Sequence, residues 1–119
     1  DFINLIAFGE IPLVFHCFAG KDRTGFGALL FLGLLGVKKE IIIEDYLLTN
    51  KFFKGPIVTE EWRDTASEKL KPLFEARVDY INAAFKEIYS KHETIEDFVI
   101  EELKLNSDTI DILKSRILE

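Results

Sequence analysis

His16-Cys17-Phe18-Ala19-Gly20-Lys21-Asp22-Arg23-Thr24-Gly25 is the stretch from which the rest of the chain is read. The apolar run Ile11–Phe15 comes immediately before it and the long apolar stretch Phe26–Leu35 after it. That order predicts a strand, a tight loop and the N-terminus of a helix, with five residues between Cys17 and Arg23. Backbone N–H groups of such a loop and of the first helical turn converge on one hollow and bind a dianion. The helix dipole adds partial positive charge there. The same field, with Arg23 nearby, favours thiolate over thiol at Cys17. Cysteines in such settings fall from ~8.5 to roughly 3.5–7.5 in pKa, and the thiolate is the nucleophile.

Each neighbour has a chemical reason to be the residue it is. Arg23 presents a planar fork that holds two phosphate oxygens as the phosphorus flattens in a transition state. Gly20 and Gly25 allow loop conformations and close approaches that a Cβ would obstruct. Thr24 can give a hydroxyl hydrogen bond to the thiolate, most usefully when sulfur is the leaving group. His16 either orients the loop through its ring nitrogens or is a satisfied histidine at a strand end. Trp62 and the eleven phenylalanines are read as mostly core, although Phe18 in the loop can contact substrate, and Phe18, Ala19, Gly20, Lys21, Asp22 and Arg23 together are the candidate substrate-binding residues. Lys21 either binds a further phosphate or is an exposed lysine. Asp22 is either a helix-capping carboxylate or an acid for the leaving oxygen and a base for the attacking water. The candidate catalytic set is Cys17, Arg23, Asp22, Thr24 and His16.

The stretch resembles the H-C-x-x-G-K-x-R-[ST]-G signature of the protein tyrosine phosphatase superfamily. Its Lys-Asp-Arg-Thr form is similar to that of bacterial atypical tyrosine and lipid phosphatases, and the Asp before the Arg also resembles the myotubularin and Sac lipid phosphatases. Asp45-Tyr46-Leu47-Leu48-Thr49-Asn50, Arg77–Tyr89 and Thr94–Phe98 look like the C-terminal part of the bacterial family. The resemblance implies a cysteine-dependent phosphomonoester hydrolase of CX5R type that works through a phosphocysteine intermediate. Its substrates would be a phosphorylated protein, of tyrosine or dual specificity, or a phosphoinositide. It implies an α/β phosphotyrosine phosphatase-like sandwich in the complete protein, with residues 1–119 as the C-terminal part of one phosphatase domain: signature loop 16–25, helical remainder 26–119. Family members often take the general acid from a loop N-terminal to the signature. The alternative reading is a non-catalytic phosphate-binding fragment or pseudo-phosphatase interaction module. A helical partner-binding domain is a third, and the Gly-Lys-Asp-Arg-Thr-Gly continuation speaks against a rhodanese or an arsenate reductase.

Composition narrows the field. The chain has 119 residues, 48% hydrophobic and 30% charged, enough for one small soluble globular domain. The net charge of −6 lies wholly after position 59, where fifteen acidic and nine basic residues stand against six of each before it. Nucleic acid needs clustered Lys and Arg, so none is expected as a partner. No apolar run is long enough for a transmembrane segment. The one cysteine excludes an intramolecular disulfide, and no metal-ligand spacing is present. No cofactor is called for, since the chemistry needs no metal. A lone reactive thiol suits a cytoplasmic or a secreted bacterial enzyme, and the compartment stays open.

Along the chain, Asp1–Ile6 reads as the tail of a helix stopped near Gly9, and the chain reads as a fragment. Helices are expected over Thr24–Leu35, stopped by Gly36; over Lys39–Phe53, with Ile42, Tyr46 and Phe53 among its buried positions, broken by Gly55-Pro56; over Glu60–Leu70, capped by Thr59; and over Asp79–Lys91, where Ile81, Ala84, Phe85 and Ile88 recur at i, i+3, i+4 and i+7. Thr94-Ile95-Glu96-Asp97 resembles a capping box opening another, and Asn106 or Ser107 caps the last. The fragment should therefore be mostly α with one central strand, Ile11–Phe15. One strand cannot make a sheet. Its neighbours must come from the N-terminal remainder of the domain or from a second copy of the chain.

Overall fold

A computed structural model of the chain describes residues 2–53 and 72–118. The elements are α1 Phe2–Phe8, α2 Asp22–Leu34, α3 Lys39–Leu47, α4 Thr49–Phe52, α5 Val78–Lys91, α6 Ile95–Glu101 and α7 Ser107–Ile117. The expected break at Gly55-Pro56, the Thr59 cap and the Glu60–Leu70 helix with Trp62 lie outside the described residues.

The signature helix α2 sits at the centre and packs against α3, α5 and α6, while α1 packs against α7. Its buried residues are Leu29, Leu30 and Leu34. An apolar helix can be central because it satisfies its own backbone hydrogen bonds before it is buried. From α5 come Ile81, Phe85 and Ile88, the face expected from their i, i+4 and i+7 spacing. From α6 come Ile95 and Val99. Gly33 lets this approach happen, because a Cβ there would run into the Ile95 side chain. Gly36 stops the helix with φ of 81°, open to glycine and strained for other residues.

The caps match the sequence. Thr94 accepts from the Asp97 N–H while Asp97 accepts from the Thr94 N–H, a complete capping box. Asn106, not Ser107, caps α7. Arg116 reaches back from α7 to α1. It donates to the carbonyl oxygens of Ile6 at 3.3 Å, Ala7 at 2.9 Å and Gly9 at 2.6 Å, so a guanidinium closes a helix C-terminus.

Three expectations are corrected. The first is the central strand: among the described residues none forms, and Ile11–Phe15 has no ladder. Its side chains lie outside the core, with Ile11 and Val14 exposed. A strand's backbone groups need a partner strand, and none of the described segments offers one. The second is the helix Lys39–Phe53, which divides at Leu48, whose N–H is shared between the Glu44 and Asp45 carbonyls. The third concerns the phenylalanines, expected in the core. Of eleven, only Phe85 is buried outright, and Phe8, Phe18, Phe26, Phe52 and Phe74 are exposed.

Candidate functional site

The loop turns where its sequence allows. Gly20 has φ of 65°, a left-handed conformation that strains other residues. Lys21 occupies the N-cap of α2, and its carbonyl receives the first helical bond, from the Gly25 N–H at 2.7 Å. This arrangement puts the N–H groups of Gly20, Lys21 and Thr24 around the half-buried Cys17 thiol.

The thiol responds strongly. Its pKa is lowered to about 6, chiefly by the Thr24 hydroxyl; burial, the next largest effect, opposes it, and the amides of Thr24, Lys21 and Gly20 add to the lowering. Thr24 Oγ1 is itself sealed from solvent and makes no hydrogen bond of full geometry. It lies close enough to favour a sulfur anion without yet being aligned on the thiol. The Thr24 hydroxyl, read from the sequence as a donor to the thiolate, heads the causes, and Arg23, expected to add to the loop's field, is not among them.

The other signature residues separate into two groups. On the outside, Arg23 is exposed and makes no hydrogen bond or ion pair with the described residues, so its fork is open to an incoming anion. Phe18 is 97% exposed at the loop tip, next to half-buried Ala19. His16 is exposed, with Nδ1 3.1 Å from the Cys17 carbonyl oxygen, so it braces its neighbour's backbone rather than another element. On the inside, Lys21 is only 2% exposed. Its ammonium donates to the carbonyl oxygens of Pro72 at 3.4 Å and Glu75 at 3.2 Å and pairs with Asp22 Oδ1 at 3.1 Å. It also lies 5.2 Å from the centre of the Tyr80 ring. Desolvating an ammonium is costly unless such partners surround it. Lys21 thus ties the loop to the segment before α5, and the exposed-lysine alternative does not hold.

Two residues outside the signature complete this inner cluster. The Tyr46 hydroxyl donates to Asp22 Oδ1 at 3.3 Å, and its ring lies against Gly25, where a Cβ would come within 2.7 Å of it. Burial first, and the Asp22 charge second, push the Tyr46 pKa up to about 12, so it remains a donor at neutral pH. Asn50 donates to the Ala76 carbonyl at 2.7 Å and accepts from the Ala76 N–H at 2.8 Å, which fixes the segment whose carbonyls receive Lys21. Sequence reasoning placed Tyr46 on a buried face and gave it no further role. The signal was its hydroxyl, which on a buried face needs a polar partner.

Beside the cluster lies a cavity of about 370 Å³, walled by Asp22, Phe26, Leu29, Tyr46, Tyr80 and Ile81 among others. Among the described residues no group of three or more His, Cys, Asp and Glu side chains could hold a metal ion. No helix among them is long and apolar enough to cross a membrane.

Comparison with known proteins points the same way. The chain is 34% identical over 102 residues to a candidate tyrosine-protein phosphatase of Cupriavidus necator, covering 82% of this chain and 37% of that protein. It is 48% identical over 48 residues to the triple specificity protein phosphatase PtpB of Mycobacterium tuberculosis, covering 40% and 17%. It is 39% identical over 72 residues to a tyrosine-protein phosphatase of Nostoc commune, covering 60% and 24%. The matched part thus spans little more than a third of the longest-covered relative. A model of the tyrosine phosphatase family matches residues 1–119, and the chain belongs to that family.

Proposed function

We propose that the chain carries the phosphate-binding loop and nucleophile of a cysteine-dependent phosphomonoester hydrolase. The observation that supports this most is the convergence on one sulfur: three loop amides and the Thr24 hydroxyl hold Cys17 at about 6, so thiolate predominates at neutral pH. In the first step the Cys17 sulfur attacks phosphorus. The bond from phosphorus to the leaving oxygen breaks with its electron pair going to oxygen, which takes a proton from Asp22. In the second step water attacks phosphorus and gives a proton to Asp22. The phosphorus–sulfur bond breaks, and the returning thiolate is received by the Thr24 hydroxyl and the loop amides. Arg23 and the amides stabilise the charge on the equatorial oxygens in both steps.

The substrate class that suits this loop is a phosphotyrosyl or phosphoseryl/threonyl protein or a phosphoinositide. The resemblance to a triple specificity phosphatase supports breadth of that kind. We take residues 1–119 as the C-terminal part of a single α/β sandwich domain. Its sheet would be completed against Ile11–Phe15 by the N-terminal remainder of the domain or by a second copy. Phosphate release from an aryl phosphate tests the reading. The protein should turn over, Cys17→Ser should abolish turnover, and Cys17→Ser should still bind orthophosphate by titration calorimetry while Cys17→Ser/Arg23→Ala does not. Binding without turnover by the unsubstituted protein would favour a phosphate-binding module instead.

A further inference from the structure

A carboxylate that exchanges protons with a phosphate ester must be aimed, and Asp22 begins as a poor candidate. Its side chain is 65% exposed at the first position of α2, where nothing in the helix itself holds it. Yet two donors from different parts of the molecule meet on the same oxygen. Lys21 Nζ is 3.1 Å and Tyr46 Oη 3.3 Å from Asp22 Oδ1, and Oδ2 has no partner among the described residues. Each donor is itself held. The ammonium sits in the Pro72 and Glu75 carbonyls. The phenol is fixed by its ring, which fills the space that a side chain at position 25 would need.

We infer that Tyr46 is a positioning residue, which with Lys21 grips Asp22 Oδ1 and leaves Oδ2 to exchange the proton with the leaving oxygen and with water. The inference rests on the phosphatase reading above. It explains an asymmetry that helix capping does not: a carboxylate that merely caps a helix turns its oxygens to the free N–H groups of the first turn, whereas this one is held from the side. It also gives Gly25 a reason to be glycine beyond the loop's own shape. Tyr46 would remain a hydrogen-bond donor throughout the working range, since its hydroxyl ionises only near 12.

Tyr46→Phe tests this cleanly, because it keeps the ring on Gly25 and removes only the hydroxyl. A misdirected catalytic group costs up to about a hundredfold. Tyr46→Phe should therefore lower kcat on alkyl phosphates about ten- to hundredfold with KM unchanged, and lower it less on activated aryl phosphates. In an Asp22→Asn background the same substitution should do nothing more. The ¹³C titration of the Asp22 carboxyl should also move in Tyr46→Phe, a readout that needs no turnover. An unmoved titration overturns the grip. A moved titration with equal losses on both substrates, or with an undiminished loss in Asp22→Asn, overturns the role in proton transfer. If the unsubstituted protein hydrolyses neither substrate, the phosphatase reading falls and the proton-transfer role with it, while the titration still decides the grip.

Discussion

Ile11–Phe15 and Leu29–Leu34 are both apolar, lie on either side of one loop, and end in opposite surroundings. Val14 is 86% exposed, while Leu29 is 0% exposed. Hydrophobicity does not separate them; the backbone does. The helix closes its N–H and C=O groups on itself and can then be covered by whatever helices the chain supplies. The extended segment cannot, because burying it without a second strand would strand its polar groups away from water. The loop between them is anchored on the helical side. The Thr24 amide lies in the first turn of α2 and the Lys21 amide at its N-cap, and the lysine side chain is bonded to the segment before α5. The site can therefore be largely formed while the sheet side of the loop is bare.

Core disruption on the helical side should have the largest effect. Leu29→Ala removes a fully buried side chain from the helix that α3, α5 and α6 share. Such changes cost about 2–5 kcal/mol, a large part of a typical total of about 5–15. Urea unfolding should show the midpoint drop accordingly. A loss below about 1 kcal/mol would mean that the helices do not form the core and would erase the contrast.

Next in size is the chemistry of the loop. With Cys17 at about 6, alkylation by iodoacetamide should rise through pH 6 and level off above pH 7. A lowered pKa means the thiolate persists as pH falls and is lost only below that midpoint. If the loop were unformed, the midpoint would return to ~8.5, and at pH 7 the thiolate fraction would be about thirtyfold smaller. The midpoint is the proper readout, since intrinsic nucleophilicity also falls with pKa. Thr24→Val should move it upward, because the hydroxyl is the largest cause of the shift.

What the sequence disclosed follows the same division. Local signals were readable: the Ile81, Phe85 and Ile88 face, the Thr94–Asp97 box, the Gly36 stop and the Cys17–Thr24 loop all depend on neighbours within a few residues. The burial of Lys21 was not readable because its partners lie 51 and 54 positions away. Tyr46 was missed as a site residue because its partner is 24 positions back, and nothing in a helical pattern says which polar group a buried hydroxyl will find. The strand expected at Ile11–Phe15 is not formed among the described residues. Its outcome depends on backbone that the described segments do not provide.

The smallest effect carries the sharpest test of that last point. Val14→Ala in the 119-residue chain should change stability by no more than about 0.5 kcal/mol, because a side chain 86% exposed has little burial to lose. If the segment is the bare edge of a sheet completed elsewhere, that value belongs to the uncovered state alone. Expressed together with an N-terminal companion from the same domain, the same substitution should cost about 1–2 kcal/mol, the worth of roughly two buried methylene groups. The amides of residues 13–15 should become protected from hydrogen exchange at the same time. Supplying a second copy instead, by raising concentration, separates the two sources: a concentration-dependent gain in protection points to exchange between copies, and its absence to the companion. Should neither condition protect these amides, the segment is a loop in its own right. The apolar run before Cys17 would then have to be explained by contacts other than a sheet.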